Sequence, residues 1–312
     1  MLNILLIVAG VALVLWGANC MTDGAVALAQ RMNIPQIVIG LTVVALGTSM
    51  PEFFVSLVSA IKGTPDLAVG NVVGSNIMNS LLIVGTAAIV TPMVIARQTV
   101  TKDIPFAVIA SLALALLCLD NNISRIDALL LTAGFIFFMY YTLRMARTGK
   151  TDVEGTETPA KNYSLPKSVC FIALGLACLI VGSNLFVEGA TQVATLLGVN
   201  QAIIGLTVVA GGTSLPELAT SVVATRKGRS SIAIGNVIGS NVFNILMILG
   251  ITGLVCPMQM QGITMVDFVV MLLSIIVVWL FSSTKLKVER WEGAWLLVFF
   301  TGYMIWLIVQ AV

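Results

Sequence analysis

The chain carries one stretch twice. Residues 40–85, GLTVVALGTSMPEFFVSLVSAIKGTPDLAVGNVVGSNIMNSLLIVG, and residues 205–250, GLTVVAGGTSLPELATSVVATRKGRSSIAIGNVIGSNVFNILMILG, align at a constant offset of 165 without a gap, and 26 of the 46 positions are identical. The match extends upstream, where Gly17, Asn19 and Gly24 stand opposite Gly182, Asn184 and Gly189, and Asp23 opposite Glu188. A repeat of this kind means one structural unit made twice, so the fold must hold two equivalent copies around shared contacts.

What surrounds the repeat is almost continuously apolar. Of 312 residues, 58% are hydrophobic and 10% charged, with a mean hydropathy of +1.05, whereas a soluble chain has about 25% charged residues. At about 20 residues per crossing, the breaks give ten spans: about 2–30, 35–60, 67–92, 104–119, 126–143, 168–195, 200–225, 231–255, 265–283 and 293–311. These stretches do not alternate in polarity, which excludes a barrel. The expected class is an all-α membrane protein.

Ten spans leave both termini on one side. With the termini outside, Arg31, Arg97, Lys102, Arg144, Arg147, Lys150, Lys161, Lys167, Arg226, Lys227, Arg229, Lys285, Lys287 and Arg290 all face the cytoplasm, and only Lys62 and Arg125 do not. This asymmetry is the positive-inside signature. The chain divides into a first five-helix repeat at 1–147, a short cytoplasmic linker at 148–166 and a second five-helix repeat at 167–312. Five spans per copy invert the second relative to the first, so the equivalent residues Lys62 and Lys227 fall on opposite faces. Inverted repeats with broken helices near the midplane are the architecture of secondary transporters.

Several classes of function are excluded by composition. There is no His, which removes imidazole metal sites and His-based catalysis. Cys20, Cys118, Cys170, Cys178 and Cys256 stand singly in apolar context without metal spacing. The net charge of +2 reflects topology signals, with no nucleic-acid patch. No base such as His or Lys lies at the depth of the membrane serines, as an intramembrane hydrolase would need. A passive channel has no use for paired gates. The first span lacks a charged leader region and reads as retained. Short loops point to a prokaryotic plasma (inner) membrane, the lipid bilayer being the one obligate surrounding and a monomer sufficient.

The costliest residues are Glu52 and Glu217, each deep in an apolar span at the same place in its copy. An ionised carboxylate there costs about 2.5–3.5 kcal/mol on the insertion scale, and no Lys or Arg is near in depth. Either a bound cation or a proton must compensate. Thr48, Ser49 and Glu52 share one helical face, as do Thr213, Ser214 and Glu217. Pro51 and Pro216 free backbone carbonyls near Gly47, Thr48, Gly212 and Thr213. The next span presents a stripe of Asn71, Ser75 and Asn79, repeated as Asn236, Ser240 and Asn244, while Asn76 and Asn241 lie off it and are read as helix-stitching residues. The result is an all-oxygen cage near the midplane, suited to hard cations such as Ca2+ and Na+. Asp23 and Glu188 lie toward the ends of their spans and are expected at the interface.

The strings GTSMPE with GNVVGSNIMN, and GTSLPE with GNVIGSNVFN, resemble the α-repeats of the cation/calcium antiporter superfamily, and more narrowly the prokaryotic sodium/calcium exchangers. The resemblance covers essentially the whole chain. It implies Ca2+ binding by Glu52 and Glu217 with backbone oxygen at Thr48 and Thr213. It also implies Na+ sites drawing on Ser49, Ser75, Ser214 and Ser240, an amide ligand at Asn79, and sliding of the first and sixth spans over the other eight. One position departs: several relatives have Asp where this chain has Asn244, which argues against potassium dependence. The implied activity is Ca2+/Na+ antiport with no cofactor and no enzymatic step; proton-coupled antiport of Ca2+ or another divalent cation is the alternative.

Overall fold

A computed structural model describes residues 2–148, 163–198 and 210–311. Its long elements are all helices: α1 (Leu2–Met32), α2 (Gln36–Thr48), α3 (Met50–Ile61), α4 (Pro65–Val90), α5 (Thr99–Asp120), α6 (Arg125–Thr148), α7 (Leu165–Leu196), α8 (Ala210–Thr213), α9 (Leu215–Arg226), α10 (Ser230–Val255), α11 (Met265–Lys285) and α12 (Arg290–Ala311). Among the described residues eight helices are long and apolar enough to cross a membrane, and α2 with α3 makes a ninth if that bent pair is one crossing. Most of the linker expected at 148–166, with Lys150 and Lys161, lies outside the described residues. So do residues 205–209 of the second repeat and the start of the span expected at 200–225.

The exposed surface explains why the bundle needs lipid. Leu5 and Val8 on α1, Leu129 and Phe137 on α6, and Val298 and Ile305 on α12 are all exposed. Helices satisfy their own backbone, so such faces are compatible with hydrocarbon. By contrast α10 is buried in protein from 232 to 250, which suits its small and β-branched residues Ala233, Val237 and Ile238.

Glycines set the closest helix approach. A Cβ placed on Gly10, Gly17 or Gly24 of α1 would come within 2.7, 2.7 and 2.8 Å of backbone oxygens of Gly182, Gly175 and Ser168 on α7. Conversely, a Cβ on Gly175, Gly182 or Gly189 would meet α1 backbone at Met21, Gly10 and Asn3, at 2.6, 2.8 and 2.7 Å. Early residues of one helix meet late residues of the other, so α1 and α7 run antiparallel along a seam of small residues seven apart. Such seams let backbones approach and gain dispersion contact where no hydrophobic drive exists.

Four two-residue strands tie α4, α5, α6, α10, α11 and α12 together at their ends. β1 (Met93–Val94) pairs antiparallel with β4 (Lys287–Val288), and β2 (Asn122–Ile123) with β3 (Met258–Gln259). Met93 faces Val288 in one ribbon and Met258 faces Ile123 in the other, the same pairing under the 165-residue offset. Because α5 runs from β1 to β2, the two ribbons sit at opposite ends of the bundle.

Gly175→Val is expected to lower the thermal unfolding midpoint in detergent, since its side chain must displace α1 backbone; overpacking of this kind costs about 1–3 kcal/mol. Gly302→Ala, where nothing lies within 4 Å, is expected to leave the midpoint unchanged or slightly raised.

Candidate cation site

Both copies break at the same serine. Pro51 and Pro216 open α3 and α9, and a proline cannot donate to the carbonyl four residues back. The chain turns there through Ser49 (φ −84°, ψ 5°) and Ser214 (φ −91°, ψ 4°), and α2 meets α3 at 46°. The break places Glu52 and Glu217 in the first turn of a new helix, where the helix dipole favours negative charge. Each glutamate is about 1% exposed.

The two carboxylates are then held crosswise. Ser214 Oγ donates to Glu52 Oε1 at 3.3 Å, and Ser49 Oγ donates to Glu217 Oε1 at 3.2 Å. Each serine serves the glutamate of the other copy. Ser75 Oγ lies 3.4 Å from Ser214 Oγ, which joins α4 to the same cluster. Thr48 Oγ1 donates to Asn236 Oδ1 at 3.0 Å. Thr213 is half-buried, one residue before Ser214.

Asn71 and Asn236 act as props. Asn71 Nδ2 reaches the backbone oxygen of Glu52 (3.1 Å) and Ser56 Oγ (3.0 Å), and Asn236 Nδ2 reaches the backbone oxygen of Glu217 (3.4 Å) and Ser221 Oγ (3.0 Å). Their amide hydrogens are spent on holding the backbone that carries each carboxylate. About two turns further, Asn79 and Asn244 stand second in π-helical segments at Met78–Ile83 and Phe243–Ile248, widened turns of a kind frequent at functional sites.

Five oxygens of this set are buried without a partner: Glu52 Oε2, Glu217 Oε2, Asn79 Oδ1, Asn244 Oδ1 and Ser240 Oγ. An unpartnered buried acceptor costs about 1–3 kcal/mol, more for a charged group. Two carboxylate, two amide and one hydroxyl oxygen are donors of the kind a hard cation prefers. Among the described residues no group of three or more His, Cys, Asp or Glu converges, so neutral oxygens must complete any shell.

Some expectations change. The carbonyl of Gly212, expected to be free for an ion, accepts a hydrogen bond from Ser183 on α7. Pro216 leaves that carbonyl unpaired, and a hydroxyl from the neighbouring helix takes it; the equivalent of Ser183 in the first copy is Ala18, which has none. Asp23 is half-buried and forms an ion pair with Lys227 at 2.7 Å. Nothing in the spacing of either residue announces this pair, because their separation in the chain is set by how α1 crosses α9.

Comparison with known proteins finds relatives over the whole chain. A family model described as sodium/calcium exchanger protein matches residues 2–144 and again 167–309. The chain is 35% identical to the putative antiporter CaxA of Alkalimonas amylolytica, over 95% of this chain and 96% of the relative. It is 30% identical to the sodium/calcium exchanger MaX1 of Methanosarcina acetivorans, over 97% of each. Structures of the sodium-calcium exchanger NCX_Mj superpose with a TM-score of 0.84 at 29% identity, over 99% of this chain and 98% of that one.

A ligand at the five open oxygens is expected to stabilise the fold. In Na+-free detergent buffer, Ca2+ at a hundred times its dissociation constant should add about 2.7 kcal/mol, read as a raised unfolding midpoint. The shift should vanish in Glu52→Gln/Glu217→Gln; a shift that survives that change would place the ion elsewhere.

Proposed function

Since the chain belongs to the sodium/calcium exchanger family of membrane cation antiporters, we propose that it exchanges Ca2+ for Na+ by alternating access at the Glu52–Glu217 site. The observation that carries this reading is the set of five buried, unpartnered oxygens on both copies. We assign ion contact to Glu52, Glu217, Ser49, Ser214, Ser75, Ser240, Asn79 and Asn244, with backbone oxygen from Thr48 and Thr213.

Coupling follows from electrostatics. Both ions need the same two carboxylates, so they compete, and an empty dianionic site is expensive to enclose in a low-dielectric bundle. Two carboxylates balance one Ca2+ or two Na+. Asn244 adds no charge, so a third Na+ leaves the loaded site at +1.

The bundle contains a mobile unit and a frame for it. The glycine seam binds α1 to α7 as one antiparallel pair, while the β1–β4 and β2–β3 ribbons fasten α4, α5, α6, α10, α11 and α12 to one another at their ends. Movement of the α1–α7 pair across that frame would expose the site to one face and then the other.

Ten crossings in two inverted five-helix repeats, 1–147 and 167–312, fit the same contacts. A strand pair requires its two strands to lie on one face, so the chain crosses an even number of times between β1 and β4. Five long helices are described there, α5, α6, α7, α10 and α11, and one more crossing between Leu196 and Ser230 makes the count even. With the basic residues inside, both termini face outward from a prokaryotic inner membrane, and one chain completes the site.

The test is radioactive Ca2+ uptake into Na+-loaded proteoliposomes at clamped pH. Uptake that needs an outward Na+ gradient, and that Glu52→Gln or Glu217→Gln abolishes in a folded protein, is expected. Uptake indifferent to Na+ that follows an imposed pH gradient would instead establish proton-coupled antiport.

A further inference from the structure

Beyond the ligand set, we propose that Asn76 and Asn241 are positioning residues that fix which end of the Asn79 and Asn244 amides faces the ion, and so set cation affinity. This rests on reading the site as a cation site. The two pairs are crossed between copies: Asn79 Nδ2 donates to Asn241 Oδ1, and Asn244 Nδ2 donates to Asn76 Oδ1, each at 3.0 Å. An amide whose nitrogen is held in this way must turn its oxygen the other way. Those two oxygens, Asn79 Oδ1 and Asn244 Oδ1, are among the five left unpartnered.

The holders are themselves anchored. Asn76 Nδ2 donates to the Asn241 backbone oxygen at 3.2 Å, and Asn241 Nδ2 donates to Ser80 Oγ at 3.0 Å. With both nitrogens engaged, the Oδ1 atoms of Asn76 and Asn241 can only accept, which orients the opposing amides without ambiguity. All four asparagines are buried, at 1–2% exposure. Without the acceptor, an amide can flip and present hydrogens to a cation.

A double-mutant cycle on the full-length protein separates this role from helix stitching. Ca2+ binding is titrated calorimetrically in Na+-free detergent, alongside thermal unfolding. Asn241→Leu and Asn79→Ala are each expected to weaken Ca2+ binding about tenfold, near the upper range for one hydrogen bond. The double variant should bind no more weakly than Asn79→Ala, because Asn241 acts through the amide that is gone. Unchanged affinity in Asn241→Leu, or losses that multiply in the double variant, would overturn the proposal. Absence of Ca2+ binding in the unsubstituted protein would overturn the site reading as well. If Asn241→Leu does not fold, the Asn76→Leu and Asn244→Ala pair carries the same test.

A separate set of contacts points to a latch between the mobile pair and the frame. Lys227, at the end of α9, donates to Asp23 Oδ1 at 2.7 Å and to the Asn19 backbone oxygen at 3.2 Å, both on α1. The equivalent residues of the other copy are Lys62, Glu188 and Asn184. Among the described residues Lys62 is exposed and makes no ion pair, and Glu188 accepts only from Gln192 on its own helix, at 3.4 Å. Lys62 precedes α4, which ends at β1, while Lys227 precedes α10, which ends at β3, so the two lysines lie on opposite faces. The Asp23–Lys227 pair therefore fastens one face in this state, and Glu188–Lys62 fastens the other face in the alternate state.

Cross-linking in proteoliposomes tests this, with the five native cysteines replaced in a transport-competent background. A short bifunctional thiol reagent should link Asp23→Cys to Lys227→Cys and, in a separate protein, Glu188→Cys to Lys62→Cys. Each link should stop Ca2+ flux reversibly. Failure of the second pair to link while the first does so, or undiminished flux after linking, would overturn the latch.

Discussion

Glu52 and Glu217, the two carboxylates of the site, are each held by a serine from the other half of the chain. Ser214 reaches Glu52 and Ser49 reaches Glu217, so neither copy builds the site alone. This crossing dictates much of the rest. The helices must break at Ser49 and Ser214 to bring hydroxyl and carboxylate into one layer, and Pro51 and Pro216 enforce the break. Each glutamate keeps one oxygen free, and among the described residues no lysine or arginine pairs with it. A mobile cation is the partner that fits such an arrangement.

The same reciprocity runs through the contacts far from the site. The glycine seam joins α1 to its own repeat equivalent α7, and each strand ribbon joins a strand of one half to one of the other. The two sets differ in kind. A seam of small residues packs two helices tightly to each other, whereas the ribbons lock helix ends by backbone hydrogen bonds. In the alternating-access reading, the first is the unit that moves and the second the scaffold it moves across.

Symmetry is broken at a few places, and those places inform function most. Ser183 caps the Gly212 carbonyl where Ala18 offers nothing to Gly47. Lys227 engages α1, while among the described residues Lys62 makes no ion pair. A pair of identical gates in identical states would be open or closed together, so departures of this sort are what an alternating device requires.

Much of this was legible in the sequence. The gapless repeat, the apolar spans and the depth of Glu52 and Glu217 are local properties, readable because a membrane helix must be continuous and apolar and because a carboxylate within one is costly. The basic residues indicated topology for a similar reason, since charge sorts by loop. Partnership between residues far apart in the chain was not legible. Asn76 and Asn241 read as helix stitching and do bond between α4 and α10, but that the amides they hold are those of Asn244 and Asn79 was not readable; nor were the hydrogen bonds of Asn71 and Asn236 to the Glu52 and Glu217 backbone, or the pairing of Asp23 with Lys227. Periodicity tells which face of a helix a residue occupies, but the angle and depth at which two helices cross decide what that face meets, and only the tertiary structure sets those.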